Sequence, residues 1–200
     1  ALTADDARRI AAAGKRIVFL SIENSPPFAR DPSLMRTFRA LGVTTMSPVH
    51  TSNNDLADSA TAPPEWNGLS PAGRLFVTEA NRLGVLIDAS HSSDEATRQM
   101  GAQSRAPVIL THSGMRGVHN HPRNVPDDVA KELATKGGVI QINAFSGYMV
   151  DTPTIPERSA ALAELFRKYQ QAGGATVEQR RAMLAERKAI DARWPVPRAT

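Results

Sequence analysis

Residues 85–91, VLIDASH, and 107–112, PVILTH, are two short apolar runs that each stop on a histidine. Between them, Ser93 with Asp94 and Glu95 opens a helical stretch that ends near Ser104, so the whole reads as strand, helix, strand. Two strands joined by a crossover helix lie parallel, which puts both histidines at one sheet edge. The same design extends in both directions. RIVFLSIE (16–23) and VTTMSPVH (43–50) come before and end on Glu23 and His50; GVIQIN (138–143) follows and ends on Asn143. The strands expected are 16–22, 43–49, 85–90, 107–112 and 139–143.

The intervening helices carry their own punctuation. Thr3 with Asp6 resembles a capping box for a helix over about 4–13 that Gly14 stops. Asp31-Pro32 opens a helix that Gly42 closes, and Ser70-Pro71 opens one that Gly84 closes. Pro126 with two aspartates begins another, ended by Gly137-Gly138. The strands are apolar nearly throughout, as parallel strands covered on both faces are. After Pro156 the pattern changes to two helices, about 157–172 and 177–192, divided by Gly173-Gly174. The fold class is therefore α/β: about five parallel strands with helices in a partial TIM-type (β/α) barrel, followed by two extra helices. Residues 1–150 hold the βα units and 151–200 a helical addition to the same domain.

Bulk composition narrows the function. Apolar residues make up 41% and charged residues 22%, ordinary for a globular chain, and no window supplies a membrane span. Cysteine is absent, which excludes disulfides and thiolate ligands. The net charge of +4 comes from residues 156–200, where nine Lys/Arg face five Asp/Glu in alternating order. Interleaved signs without aromatic platforms argue against a nucleic-acid partner.

Active sites of β/α barrels and open α/β sheets lie at the C-terminal strand edge. Glu23, His91 and His112 reach that edge together, and imidazoles with a carboxylate are metal ligands. Taken singly, each has a plainer reading: a core or cap histidine, or a glutamate paired with Arg30. His50 suits a third ligand, a hydrogen-bond donor to an oxyanion, or a histidine held by the Asn53-Asn54 loop. Arg123 suits a bidentate clasp on a carboxylate or a surface pair with Asp127 or Asp128. Asp88 is either a carboxylate that orients a histidine or a buried group bonded to backbone. His119 and Trp66 carry no assignment. Two long connections, 51–69 and 113–125, leave this same edge, and long loops in compact domains are commonly functional.

The stretches NGLSPAGRLFVTEANRLGVLIDASHSS (67–93) and SRAPVILTHSGMRGVHNHPRNVPDDVAKELATKGGVIQINAFSGY (104–148) closely resemble the membrane (renal) dipeptidase family of zinc peptidases. The likeness continues upstream through LSIEN (20–24) and ALGVTTMSPVHTSNNDLADS (40–59). It implies a β/α barrel with two zinc ions at its C-terminal mouth. Glu23 then matches the carboxylate bridging the metals, His91 and His112 the two histidines of the second zinc. His50 matches a histidine that contacts the substrate or its tetrahedral intermediate, and Arg123 the arginine that binds the substrate's terminal carboxylate. The family's His-x-Asp motif and its last-strand aspartate lie outside the matched region. The chain is thus expected to be the central portion of a longer enzyme, an incomplete barrel with exposed strand edges, with 151–200 as an insertion before the last strand.

The activity implied is zinc-dependent hydrolysis of dipeptides. The alternatives are a related metal-dependent amide or lactam hydrolase, and a non-catalytic partial barrel serving as a scaffold. The partner expected is a dipeptide or small amide, with a homodimer as the assembly to test for. The compartment stays open, since a signal for secretion would lie outside this stretch.

Overall fold

The computed structural model describes residues 1–170 and 176–198. The chain divides into two compact units, Ala1–Asn143 and Ala144–Thr200. The first unit contains α1 (Ala4–Ala12), β1 (Leu20–Ile22), α2 (Pro27–Arg30), α3 (Ser33–Ala40) and β2 (Val43–Met46). It continues with α4 (Pro71–Leu83), β3 (Leu86–Asp88), α5 (Asp94–Gln103), β4 (Val108–Ser113), α6 (Asp127–Ala134) and β5 (Ile140–Ile142). Among the described residues the five strands form one parallel sheet in the order β1-β2-β3-β4-β5. Each crossover advances by one neighbour, which is how a β/α barrel winds. No described strand joins β5 back to β1, so the sheet is not closed.

The helix signals act as read. Ser70 caps α4 by accepting from the Gly73 N–H at 3.0 Å, Pro71 fills the first turn, and Gly84 ends the helix in the left-handed region at φ 65°. Ser93 caps α5 through the Ala96 N–H, and Thr3 and Asp6 form a reciprocal capping box on α1. Asp31 accepts from the Ser33 N–H at 3.0 Å, so its capping bond survives although the helix starts one residue later than expected.

The core lies between one face of the sheet and helices α3 to α6. Val43, Met46, Ile87, Val108 and Leu110 point into it, against Met35, Phe76, Val77, Met100, Val129 and Leu133. Burying a side chain such as Phe76 contributes about 1.5–3 kcal/mol. Gly73 permits the closest approach: a Cβ there would sit 2.0 Å from the Leu56 carbonyl oxygen, so the 51–69 loop runs directly over α4.

Two expectations need correction. The strands are shorter than their apolar runs: 16–22 contracts to Leu20–Ile22 and 43–49 to Val43–Met46. Nor are both faces covered. Ser21, Thr45, Leu86, Ile109, Thr111 and Gln141 line a hollow of about 460 Å³, and Val18, Leu20, Val139 and Ile142 are exposed near the two edges. Ladder bonds form only where a neighbour exists, and β1 and β5 each have one.

The second unit contains a 3₁₀ turn (Ser146–Tyr148), α7 (Pro156–Gln170) and α8 (Val177–Arg193). Thr176 and Gln179 form a capping box on α8. Arg158 pairs with Asp191 and Lys168 with Glu186, a pattern that runs the helices antiparallel. The Gly173-Gly174 divider lies outside the described residues.

Candidate metal centre

β1 delivers Glu23 one residue past its end, and a hydrogen bond from the Ser47 N–H to the Ile22 carbonyl fixes that exit against β2. Asn24 follows at φ 67°, a turn that Asn tolerates, and its Oδ1 accepts from Asn54 at 3.0 Å. Beyond β3, His91 also adopts a left-handed backbone, φ 74°. Such a conformation in a non-glycine residue persists only when its surroundings impose it. Here the Ser92 N–H bonds to the Ala89 carbonyl, the Ala60 N–H to the His91 carbonyl at 2.7 Å, and Ser59 bridges Ser92. The 51–69 loop thus clamps the turn that carries His91.

His112 lies within β4. Its N–H donates to Ser90 Oγ at 3.1 Å, and its ring Nδ1 is 2.8 Å from Thr111 Oγ1. The Thr111 hydroxyl and N–H both bond to Asp88, whose Oδ1 also accepts from the Ser90 N–H. Both readings of Asp88 therefore apply: it is buried with backbone partners, and it reaches a histidine through one hydroxyl.

The three side chains converge. Glu23 Oε1 is 3.2 Å from His91 Nε2 and 3.1 Å from His112 Nε2, and the three donor atoms lie within 4.8 Å of one another. The His50 ring lies against His91 with centroids 4.1 Å apart, and the His91 and His112 rings are 4.9 Å apart. Arg123, 4% exposed, donates from Nη2 to the His112 carbonyl at 3.2 Å. All five residues singled out from the sequence therefore fall in one neighbourhood. Arg30 lies instead 3.9 Å from Asp55, so it does not claim Glu23.

Burial pushes the His91 imidazole down to about 3, aided by the Arg123 charge and by His50 and His112. The Glu23 carboxylate pulls the other way, but its side chain is 47% exposed against 7% for His91. Water screens the carboxylate more than it relieves the buried ring, so the neutral form wins. His91 Nδ1 is buried without a hydrogen bond among the described residues, unlike a histidine kept only to satisfy a core.

The donor set fits a divalent cation. Nitrogen and oxygen ligands about 2.0–2.1 Å from a tetrahedral zinc lie about 3.3 Å apart along each edge, close to the two separations from Glu23. A cavity of about 560 Å³ opens between the two long loops, lined by Asp58, Ser59, Asn67, Asp94, Arg116 and Asn120. None of the three donors lines it, so the chemistry is located by the cluster and not by that hollow.

Several supporting contacts escaped the sequence reading. Asp58 takes the Glu65, Trp66 and Gly68 N–H groups on its carboxylate, Asn54 takes those of Leu56 and Ala57, and Thr111 links Asp88 to His112. The one available signal was Asp58 ahead of the Pro-Pro and Asn-Gly turn residues in its loop.

Parallel βα units with carboxylate and imidazole donors at the C-terminal edge are the architecture of barrel-type metal-dependent hydrolases. Residues 1–185 match the family model for membrane dipeptidase, peptidase family M19. The chain belongs to that family. A dipeptidase of Schizosaccharomyces pombe, itself uncharacterized, is 37% identical over 161 residues, covering 77% of this chain and 39% of the relative. The dipeptidase TcpJ of Claviceps purpurea is 40% identical over 141 residues, covering 70% and 33%. The crystal structure of the probable dipeptidase PvdM from Pseudomonas aeruginosa superposes with a TM-score of 0.76 at 28% identity, over 100% of this chain and 55% of that one. The chain thus spans only about a third to two fifths of the length of these curated relatives.

Proposed function

We propose that the full-length protein hydrolyses dipeptides with a pair of zinc ions, and that this chain supplies Glu23, His91 and His112 to them. The observation that carries the reading is the approach of one Glu23 oxygen to two imidazole nitrogens, at 3.1 and 3.2 Å, in a chain of the membrane dipeptidase family. When bound, a zinc pair supplies a hydroxide near neutral pH and polarises the scissile carbonyl. The chain's own groups do the rest. Glu23 would help hold the pair with its carboxylate, and His91, held neutral, would offer a nitrogen lone pair. His50, against His91, donates a hydrogen bond to the oxygen that gains charge as the carbonyl is attacked. Arg123 places a fixed cation beside the cluster, where the terminal carboxylate of a dipeptide is drawn, and this restricts substrates to very short peptides. Residues 151–200 are, in the same proposal, a helical insertion that leads to the last strand.

The test is His112→Ala in the full-length protein, with zinc content and dipeptide turnover measured together. Both should fall; unchanged values for both refute the assignment. Profiling dipeptides against lactams and simple amides tests the substrate class, and preference for the latter would move the protein to another amide hydrolase.

A further inference from the structure

We propose that the ion pair of Arg116 and Asp94 positions Arg123, by tying the loop that carries Arg123 to the first turn of α5, and so sets where a substrate's terminal carboxylate is received. The Arg116 guanidinium uses both of its forks. One, Nη1 and Nη2, closes on the Asp94 carboxylate, with Nη2 2.8 Å from Oδ1. The other, Nε and Nη2, closes on the Asn124 carbonyl at 3.1 and 2.7 Å. Nη2 gives one proton to each fork, so its 3.4 Å approach to the Pro122 carbonyl is a shared and weaker contact. These two carbonyls stand immediately before and after Arg123 in the chain. Pro122 has no N–H to offer, so its carbonyl is the main-chain group by which that side of the turn can be held.

The loop depends on such a tie because it contains no helix or strand between the end of β4 at Ser113 and the start of α6 at Asp127. Its base is zipped by the Arg116 N–H on the Val125 carbonyl and the Val125 N–H on the Gly114 carbonyl, both at 2.9 Å. Beyond that zip the chain turns Arg123 inward, to 4% exposure, with Nη2 on the His112 carbonyl. α5 supplies the fixed point. Asp94 is its first residue, where the helix dipole favours a negative charge. The preceding Ser93 N–H donates to the Asp58 carbonyl at 2.9 Å, so the same helix end also holds the 51–69 loop. Lysine at 116 would keep the charge and lose the planar double fork. Arg116 and Asp94 are positioning residues: they act through Arg123.

Arg123 as the carboxylate clasp belongs to the function proposed above, and the positioning role rests on that reading. Full-length, metal-loaded protein is assayed with a dipeptide and with the C-terminal amide of the same dipeptide. In Arg116→Lys, kcat/KM for the dipeptide should fall about 10–100-fold, the scale of loss when a binding group is misplaced by about 1 Å. The loss should lie in KM, because the terminal carboxylate is held alike before and during the reaction. The amide presents no anion to Arg123, so the preference for dipeptide over amide should shrink by the same factor. Zinc content should stay native, which a loosened metal site would not allow. Asp94→Asn keeps the shape of the pair and removes its charge; it should shift the preference in the same direction, and it serves in place of Arg116→Lys if that variant does not fold.

Arg123→Met is the reference, since it removes the clasp outright and should abolish the preference. A preference reduced in Arg116→Lys and Asp94→Asn, with kcat and zinc content near native, supports the positioning role. A native preference in both, beside its loss in Arg123→Met, overturns that role and leaves the clasp standing. A preference untouched by Arg123→Met removes the clasp, and the positioning role with it. Equal losses on dipeptide and amide would mark a general loosening of the loop and would also overturn the proposal.

Discussion

Replacing Asp58 with alanine should loosen the whole 51–69 loop. The residue is 1% exposed, and its carboxylate accepts the Glu65, Trp66 and Gly68 N–H groups at 2.9, 3.0 and 2.8 Å. A bond to a charged acceptor contributes about 1.5–3 kcal/mol, and a buried donor left unpaired costs about 1–3 kcal/mol. Only the Gly68 bond is fully buried; the Glu65 and Trp66 amides can turn to water once the loop relaxes. Full additivity is therefore excluded, and a loss of about 3–5 kcal/mol follows. The loop clamps the His91 turn through Ala60 and Ser59, and Ser59 Oγ also holds the His50 carbonyl at 2.6 Å. The damage should accordingly reach the site. The assay is amide hydrogen exchange at residues 65, 66 and 68, read beside the urea midpoint and dipeptide turnover of the full-length protein. Protection should collapse at all three amides, the midpoint should drop and turnover should fall. Native protection at Gly68 together with an unchanged midpoint would refute the argument.

Two further outcomes are expected. His91, held down at about 3 against a usual 6.5, binds fewer protons folded than unfolded between those values, so its contribution is complete above about pH 6.5 and is lost as pH falls toward 3. At about 1.4 kcal/mol per unit, urea melts of metal-free protein should lose up to about 2 kcal/mol from this group between pH 7 and 5; an equal loss in His91→Gln would contradict it. Gly73→Ala should lower the melting temperature, because its Cβ would lie 2.0 Å from a backbone oxygen. Overpacking costs about 1–3 kcal/mol or more, against about 1 kcal/mol gained in helix propensity, and a raised melting temperature would show that the loop yields freely.

Sequence legibility followed the range of the interactions. Ser70-Pro71 and Gly84 mark α4 because capping is decided within a few residues, and the structure has both caps in place. The strand-end positions of Glu23, His50, His91 and His112 were legible because the edge where a parallel strand exits follows from chain direction. Strand length was not. IVFL (17–20) is apolar throughout, yet only Leu20–Ile22 pairs, and Ile17 and Val18 remain exposed. Hydropathy records what a residue would bury, whereas a ladder needs a neighbour to bond with. The Asp88–Thr111–His112 chain was equally hidden, since residues 88 and 111 meet only through the β3–β4 register.

Stability and chemistry occupy different parts of this sheet, a face and an edge. The apolar core packs against helices through Met46, Ile87 and Leu110, while the donors stand at the strand ends under polar loops. Core packing alone cannot aim an imidazole to within a fraction of an ångström. Directional bonds do that here: Asn54 reaches Asn24 beside Glu23, Asp58 organises the loop over His91, and Asp88 reaches His112 through Thr111. Each donor thus has a polar residue close behind it, all three taking backbone N–H groups. A network of that kind is costly if half made and rigid when complete. It follows that substitutions at Asn54, Asp58 and Asp88 should disturb the geometry of the Glu23–His91–His112 cluster more than their share of total stability would suggest, while core substitutions of equal destabilisation should spare it.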